Sequence, residues 1–216
     1  MREALELTGV VIKSQPIREY DKRLVLLTGE RGRITAFSRG SRRATSPLLA
    51  ATNPFVFGSF SLYEGKDAYT LVNVSVTDYF DGLARNLPGV YYGFYFLELL
   101  QYFIQEEEEA SEAVNLLYVA LKAIQKELVP LPLIRRVFEI RLLVLSGLYA
   151  PPKERGGLDE SAYYALQYAA SSPLPKLFSF TLSDEAMADL IRETDARMAR
   201  VTDATFKSLE LIDGGF

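Results

Sequence analysis

Residues 23–38 read RLVLLTGERGRITAFS. Two β-suited runs, 23–28 and 33–38, flank a four-residue turn at 29–32 that carries two glycines, a pattern that predicts a β-hairpin. Upstream, ALELTGVVIKS (4–14) alternates Leu5 and Leu7 with polar neighbours and then thickens into Val10, Val11 and Ile12, which predicts another strand. Downstream, PFVFGSFSLYEGKDAYTLVNVSVTDYF (54–80) predicts two more strands around a turn at 64–67. There Val72, Val74 and Val76 are expected on a buried face, with Asn73, Ser75 and Thr77 on the other. Gly58, inside its strand, points to a bulge or sharp bend of the kind a small barrel needs at its corners. Five short strands within residues 1–80 predict a closed barrel of the OB type, which removes sheet edges by closure. An SH3-like barrel fits the same strand count.

Beyond residue 80 the apolar period changes to 3.6. Pro88 suits the first turn of a helix reaching to about residue 105, whose apolar residues, Phe94, Leu97, Leu100 and Ile104 among them, cover most of its circumference and predict burial. Ser111 is the expected cap of a second helix, with Leu116, Leu117, Ala120, Leu121 and Ile124 inward. A third follows Pro130 and Pro132, with Val137, Ile140, Leu142, Val144, Leu145 and Leu148 apolar. A fourth starts behind Ser183 and runs to about residue 200, and 202–213 is expected helical or irregular. The expected fold class is therefore α+β in two domains: an OB-type barrel at 1–80 and an all-α domain at 81–216, interrupted by a Pro/Gly/Ser-bearing insertion at 151–175 with a short helix near 160–169.

Composition narrows the chemistry. The chain has 216 residues, no cysteine and no histidine. Disulfides, zinc–thiolate sites, cysteine nucleophiles and imidazole bases are thereby excluded. Neither a G-x-x-x-x-G-K-[ST] nor a G-x-G-x-x-G motif is present. The expectation is a protein that is not an enzyme, with no cofactor and no bound metal. The most apolar stretch, 88–104, is shorter than the roughly 20 residues of a membrane span and carries Glu98 and Gln101. With Glu3 and Glu6 breaking the start, no secretory leader is expected, and the location is expected to be cytoplasmic.

The formal net charge is -4, unevenly placed. Through residue 80, Lys and Arg outnumber Asp and Glu by 11 to 8, and afterwards they are outnumbered 13 to 20. Nine of those bases crowd into 13–43: Lys13, Arg18, Lys22, Arg23, Arg31, Arg33, Arg39, Arg42 and Arg43. Such a strip on an acidic body suggests a local anion site. Arginine's planar fork suits phosphate oxygens, and glycine lets backbone approach a ligand. Tyr20, Phe37, Phe60 and Tyr69 could supply stacking rings beside it, although core positions are the ordinary fate of such rings. The competing explanation is a solvated basic rim. The run Glu106–Glu109 could suggest a magnesium-dependent nuclease, but consecutive helix residues point apart, so a solvated helix end is the reading adopted.

The opening TGVVIKSQPIREYDKRLVLLTGERGRITAFSRGSRR (8–43) carries a Y-D-x-R link and a G-x-I-x-A-x-x-x-G-x-R-R run. With VTDYF at 76–80 and FKSL at 206–209, it resembles the RecO family of bacterial recombination mediators. That resemblance implies an OB-fold followed by a helical domain, binding of single- and double-stranded DNA, and annealing of complementary strands. It also implies contact with SSB, through its acidic C-terminal tail, and with RecR, so that RecA is loaded indirectly. By the same resemblance the nine bases become DNA contacts, Lys13, Arg39, Arg42 and Arg43 foremost. Arg135, Arg136 and Arg141, in an otherwise apolar helix, become candidates for a basic-rimmed groove for that acidic tail, against the plainer expectation of an Arg135–Glu139 ion pair. Many family members carry a four-cysteine zinc module where this chain has 151–175 without a cysteine, and Tyr163, Tyr164, Leu166, Tyr168, Leu174 and Leu177 are expected to pack that insertion instead. The alternative function is a protein-interaction adaptor that binds no DNA.

Overall fold

A computed structural model describes residues 4–214. The chain separates into two compact units: one takes the chain up to Asp81 with Leu97–Val114, the other Gly82–Phe96 with everything from Asn115 onward.

The first unit is built on a closed five-stranded barrel: β1 (Leu5–Ile17), β2 (Asp21–Thr28), β3 (Gly32–Ser38), β4 (Phe57–Tyr63) and β5 (Tyr69–Asp78). Strand order around the barrel is β1-β2-β3-β5-β4, with only β3 and β5 parallel, a Greek-key closure of the OB type. Closure depends on the length of β1. Its first half pairs with β4 (Leu5–Val10) and its second with β2 (Gly9–Ile17). Gly9 lies where the two ladders overlap, opposite both Thr28 and Gly58. A Cβ on Gly9 would stand 2.1 Å from the Leu27 carbonyl oxygen, and one on Gly58 2.3 Å from that of Ser75. No side chain fits between backbones this close. A register shift adjoins Gly58, as its place in the strand predicted.

Leu7, Val11, Leu24, Leu26, Ile34, Ala36, Phe60, Leu62, Tyr69 and Leu71 fill the barrel. The alternation expected for β5 is corrected by a bulge. Leu62 faces Leu71 while Ser61 faces Asn73, so Val72 is the extra residue, 43% exposed. Past the bulge, Val74 and Val76 return to the core side.

Between β3 and β4 a short helix, α1 (Leu48–Ala51), crosses the connection. The segment after residue 103 then lies along the β2–β3 turn: Arg33 N–H donates to Gln105 O, Glu107 N–H to Arg31 O and Ala110 N–H to Gly29 O. These bonds explain why Leu97–Val114 belongs to the barrel's unit. They also draw Gln105 out of the expected helix, which ends at Phe103.

A 3₁₀ turn (Asp81–Arg85) leads to α2 (Leu87–Phe103), α3 (Ser111–Gln125), α4 (Leu131–Leu145), α5 (Glu160–Ser171), α6 (Asp184–Val201) and α7 (Lys207–Asp213). Pro88 occupies the first turn of α2, where the Asn86 carboxamide oxygen accepts the Gly89 N–H. Ser183 caps α6 by accepting the Ala186 N–H. The start of α3 differs from expectation: Ser111 is its first residue, and the Glu109 carboxylate accepts the Ser111 N–H. In the second unit α4, α5 and α6 pack on one another, and Phe96 stacks on Phe138 with centroids 4.0 Å apart. Leu148, expected on the apolar face of α4, lies beyond the helix end and is exposed. In the 151–175 region, Leu166 is buried on α5, as is Leu177 just beyond, whereas Tyr164 points to solvent. Among the described residues no helix is long and apolar enough to cross a membrane.

Candidate nucleic-acid interface

Two turns meet at one end of β2. The first joins β1 to β2 through Arg18, Glu19 and Tyr20, and closes tightly enough that Arg18 takes a left-handed φ of 51°. The second follows β3 through Arg39, Gly40, Ser41, Arg42 and Arg43, with Gly40 at φ 66°. They are joined by hydrogen bonds. Gly40 N–H donates to Asp21 Oδ1 (2.8 Å), and Arg42 N–H donates to Tyr20 O (2.9 Å). The Arg42 guanidinium donates to Glu19 O (3.0 Å) and Arg18 O (3.3 Å), holding the strained turn. The buried Ser41 hydroxyl donates to Ser38 O and Arg43 N–H to Gly40 O, which shapes the second turn.

Between the turns opens a cleft of about 470 Å³ lined by Arg18, Glu19, Tyr20, Asp21, Arg39, Gly40 and Arg43. The Arg43 guanidinium lies over the Tyr20 ring, 5.2 Å from its centroid. Arg18, Arg39 and Arg43 have no acidic partner within salt-bridge distance among the described residues. Glu19 and Asp21 bring negative charge to the same walls, but one Asp21 oxygen is committed to Gly40 N–H. The cleft therefore offers three guanidinium groups without an ion-pair partner among the described residues, two carboxylates, a glycine backbone and one aromatic ring.

The nine bases singled out in the sequence do not form one surface. Lys13 and Arg23 are exposed on outward positions of β1 and β2, and Arg23 faces the exposed ring of Phe37 across the β2–β3 ladder. Lys22 is a correction. It is 8% exposed, and its Nζ donates to Thr52 Oγ1 (2.9 Å), Asn53 Oδ1 (3.0 Å) and Leu49 O (3.3 Å). Burial, and then the neighbouring Arg42 charge, holds its pKa below the usual lysine range. Lys22 thus pins the connection between β3 and β4 and is not available to a ligand. Arg31 and Arg33 lie at the other end of β2. Arg31 pairs with Glu107 (3.3 Å) and Glu64 (3.7 Å), while Arg33 donates to Gln101 O and lies 3.9 Å from Glu106. Of the four rings, Phe60 and Tyr69 are core residues, while Tyr20 (42%) and Phe37 (37%) are exposed.

The second unit corrects the picture of a basic-rimmed groove. Arg135 and Arg136 are buried around Glu139: Arg135 Nε donates to it at 2.9 Å and Arg136 at 3.1 Å. Asp213 and Asp195 complete their pairing, and the Tyr95 hydroxyl donates to the same Glu139 at 2.6 Å. Burial foremost, and then the Glu139 charge, drives the Tyr95 hydroxyl far above its ordinary pKa, so it stays a donor. Arg141 donates to the backbone oxygens of Ala169, Ala170 and Ser172. All three arginines serve the packing of the helices, and the expected Arg135–Glu139 pair is present.

A closed 1-2-3-5-4 barrel with an arginine-lined cleft at its turns, followed in sequence by helices, defines an OB-fold protein with a helical C-terminal part. Two family models match in series: Recombination protein O N terminal over residues 1–80 and Recombination protein O C terminal over 85–151. The chain is similar to the DNA repair protein RecO of Clostridium perfringens, 28% identical over 238 residues that cover 96% of this chain and 97% of that one. It is similar also to the RecO of Acetivibrio thermocellus, 27% identical with 96% of each covered. With that of Alkaliphilus metalliredigens it shares 33% identity over 67% of this chain and 58% of the other. The chain belongs to the RecO family.

Proposed function

We propose that this chain is a non-enzymatic DNA repair and recombination mediator of the cytoplasm, associated with the nucleoid. It binds single- and double-stranded DNA through the exposed arginines of the barrel, largely without regard to sequence. It anneals complementary strands and, with RecR, helps RecA load on SSB-coated single strands. The observation that carries this reading is the cleft between the two turns, where Arg18, Arg39 and Arg43 stand without acidic partners among the described residues, on an OB barrel of this family. Phosphates attract guanidinium groups in that state, and counterion release then drives binding. Annealing follows if one basic surface neutralises two strands at once and lowers their mutual repulsion. The protein partners, SSB and RecR, are assigned on family grounds alone.

The test is a fluorescence-anisotropy titration of a labelled single-stranded oligonucleotide across a salt series. Affinity is expected to fall with salt, and the log–log slope to flatten by roughly 0.7 for each phosphate that Arg39→Ala or Arg43→Ala leaves unneutralised. Arg42 is left intact because it holds the turns. A wild-type protein with no salt-dependent affinity would replace this reading with that of a protein-interaction adaptor.

A further inference from the structure

Tyr20 is the residue of the cleft that phosphate binding does not explain. It sits in a three-residue turn, outside the alternation of β1 and β2, and is 42% exposed although it is a large aromatic. Its backbone oxygen is fixed by Arg42 N–H, so the ring is carried on a held turn. Arg43 covers the ring at 5.2 Å, yet the ring still lines the open cleft with Arg18 and Arg39. An exposed ring with a cation over it is a stacking platform with charge beside it.

Resting on the DNA-binding reading above, we propose that this cleft seats one unpaired nucleotide, its base against the Tyr20 ring and its phosphate among Arg18, Arg39 and Arg43. The cleft, about 470 Å³ and largely open to solvent, has room for a nucleotide laid against its wall. Within a duplex the base faces are covered by their neighbours, so a ring reaches a face only where a base is unstacked. Phosphates, in contrast, are equally accessible on single and double strands. The arginines therefore supply binding to either form, and Tyr20 supplies the preference for unpaired DNA. Glu19 and Asp21 also line the cleft and oppose a phosphate, so the backbone is held by the guanidinium groups alone.

The experiment compares wild type, Tyr20→Ala and Tyr20→Phe on a single-stranded oligonucleotide and a blunt duplex of equal length at one salt concentration, with a salt series for the single strand. Removing one base–ring stack lowers affinity roughly 5- to 150-fold. Tyr20→Ala is expected to weaken single-strand binding by that much and duplex binding less than twofold, with an unchanged salt slope. Tyr20→Phe, which keeps the ring, should bind both as wild type does. Equal weakening of Tyr20→Ala on both DNAs would overturn the proposal and make Tyr20 a support of the turn. Unchanged binding of both DNAs would overturn it while sparing the DNA-binding reading. Full DNA affinity in Tyr20→Ala, together with weakened binding of an oligoglutamate peptide, would assign the cleft to protein instead.

Discussion

At the residue scale, Lys22 and Arg43 carry the same charge within one set of turns and have opposite fates. Lys22 shares parity with Leu24 and Leu26, so the pleat sends its stem inward and its Nζ to three oxygens under the 46–54 connection. Arg43 lies over the face of Tyr20 and has no acidic partner among the described residues. Lys22→Met keeps the stem and removes the donor, leaving the Asn53 oxygen and the Leu49 carbonyl short of a partner. The expected cost is about 1–3 kcal/mol in urea denaturation. The salt slope of DNA binding should not change, because Lys22 reaches no phosphate. A variant with wild-type stability and a flatter slope would place the ammonium on DNA and reverse the assignment.

At the element scale, β1 is the strand on which closure depends. Gly9 is the pivot at which its partner changes, and it lies between the backbones of β2 and β4. Gly9→Val would drive Cβ into the Leu27 carbonyl, and relief requires separating the ladders. We expect a destabilisation of about 3 kcal/mol or more, seen as a lowered Tm, since overpacking with no flexible neighbour lies at the upper end of its range. A wild-type Tm in this variant would show that the barrel closes without so close an approach of the backbones.

Strand count, the Gly58 irregularity and the helix starts at Pro88 and Ser183 were legible in the sequence because each is set locally, by the pattern of one short run or by a single residue. The bulge at Val72 was not, because VNVSV alternates cleanly and only pairing with β4 shows that one valine is surplus. For the site, the arginine-bearing turns were visible as composition. The inward parity of Lys22 was present in the sequence too, masked by its charge. The pairing of Arg31 and Arg33 with Glu64, Glu106 and Glu107 was hidden, because it joins residues far apart in the chain. Arg135 and Arg136 lie on a helix apolar enough for burial, and Glu139 at i+4 and i+3 was the available signal.

At the scale of the whole molecule, a chain of net charge -4 pairs Arg31, Arg33, Arg135 and Arg136 with acids and leaves the arginines of the two turns outside such pairs among the described residues. The two ends of β2 show the contrast: one end carries arginines without acidic partners among the described residues, the other carries Arg31 and Arg33 under a rim of glutamates. Those glutamates are exposed, so their pairs contribute little stability, about 0–1 kcal/mol each. In the proposed DNA-binding reading their larger effect is on the path of the strand, since a phosphate approaching that end meets Glu106 and Glu107 within a Debye length of about 10 Å at 0.1 M salt. The double change Glu106→Gln and Glu107→Gln keeps the shape and the backbone bonds of the segment and removes two of the carboxylates at this end, while Arg31 keeps Glu64 and Arg33 keeps its bond to Gln101 O. It should leave Tm almost unchanged, raise affinity for single-stranded DNA, and steepen the log–log salt slope by up to ~0.7 for each arginine that then meets a phosphate. Tighter binding at an unchanged slope would mean that the glutamates act only through the field, and that the DNA path ends before reaching Arg31. Unchanged binding on both counts would confine the interface to the Arg18–Arg43 cleft and its immediate strands.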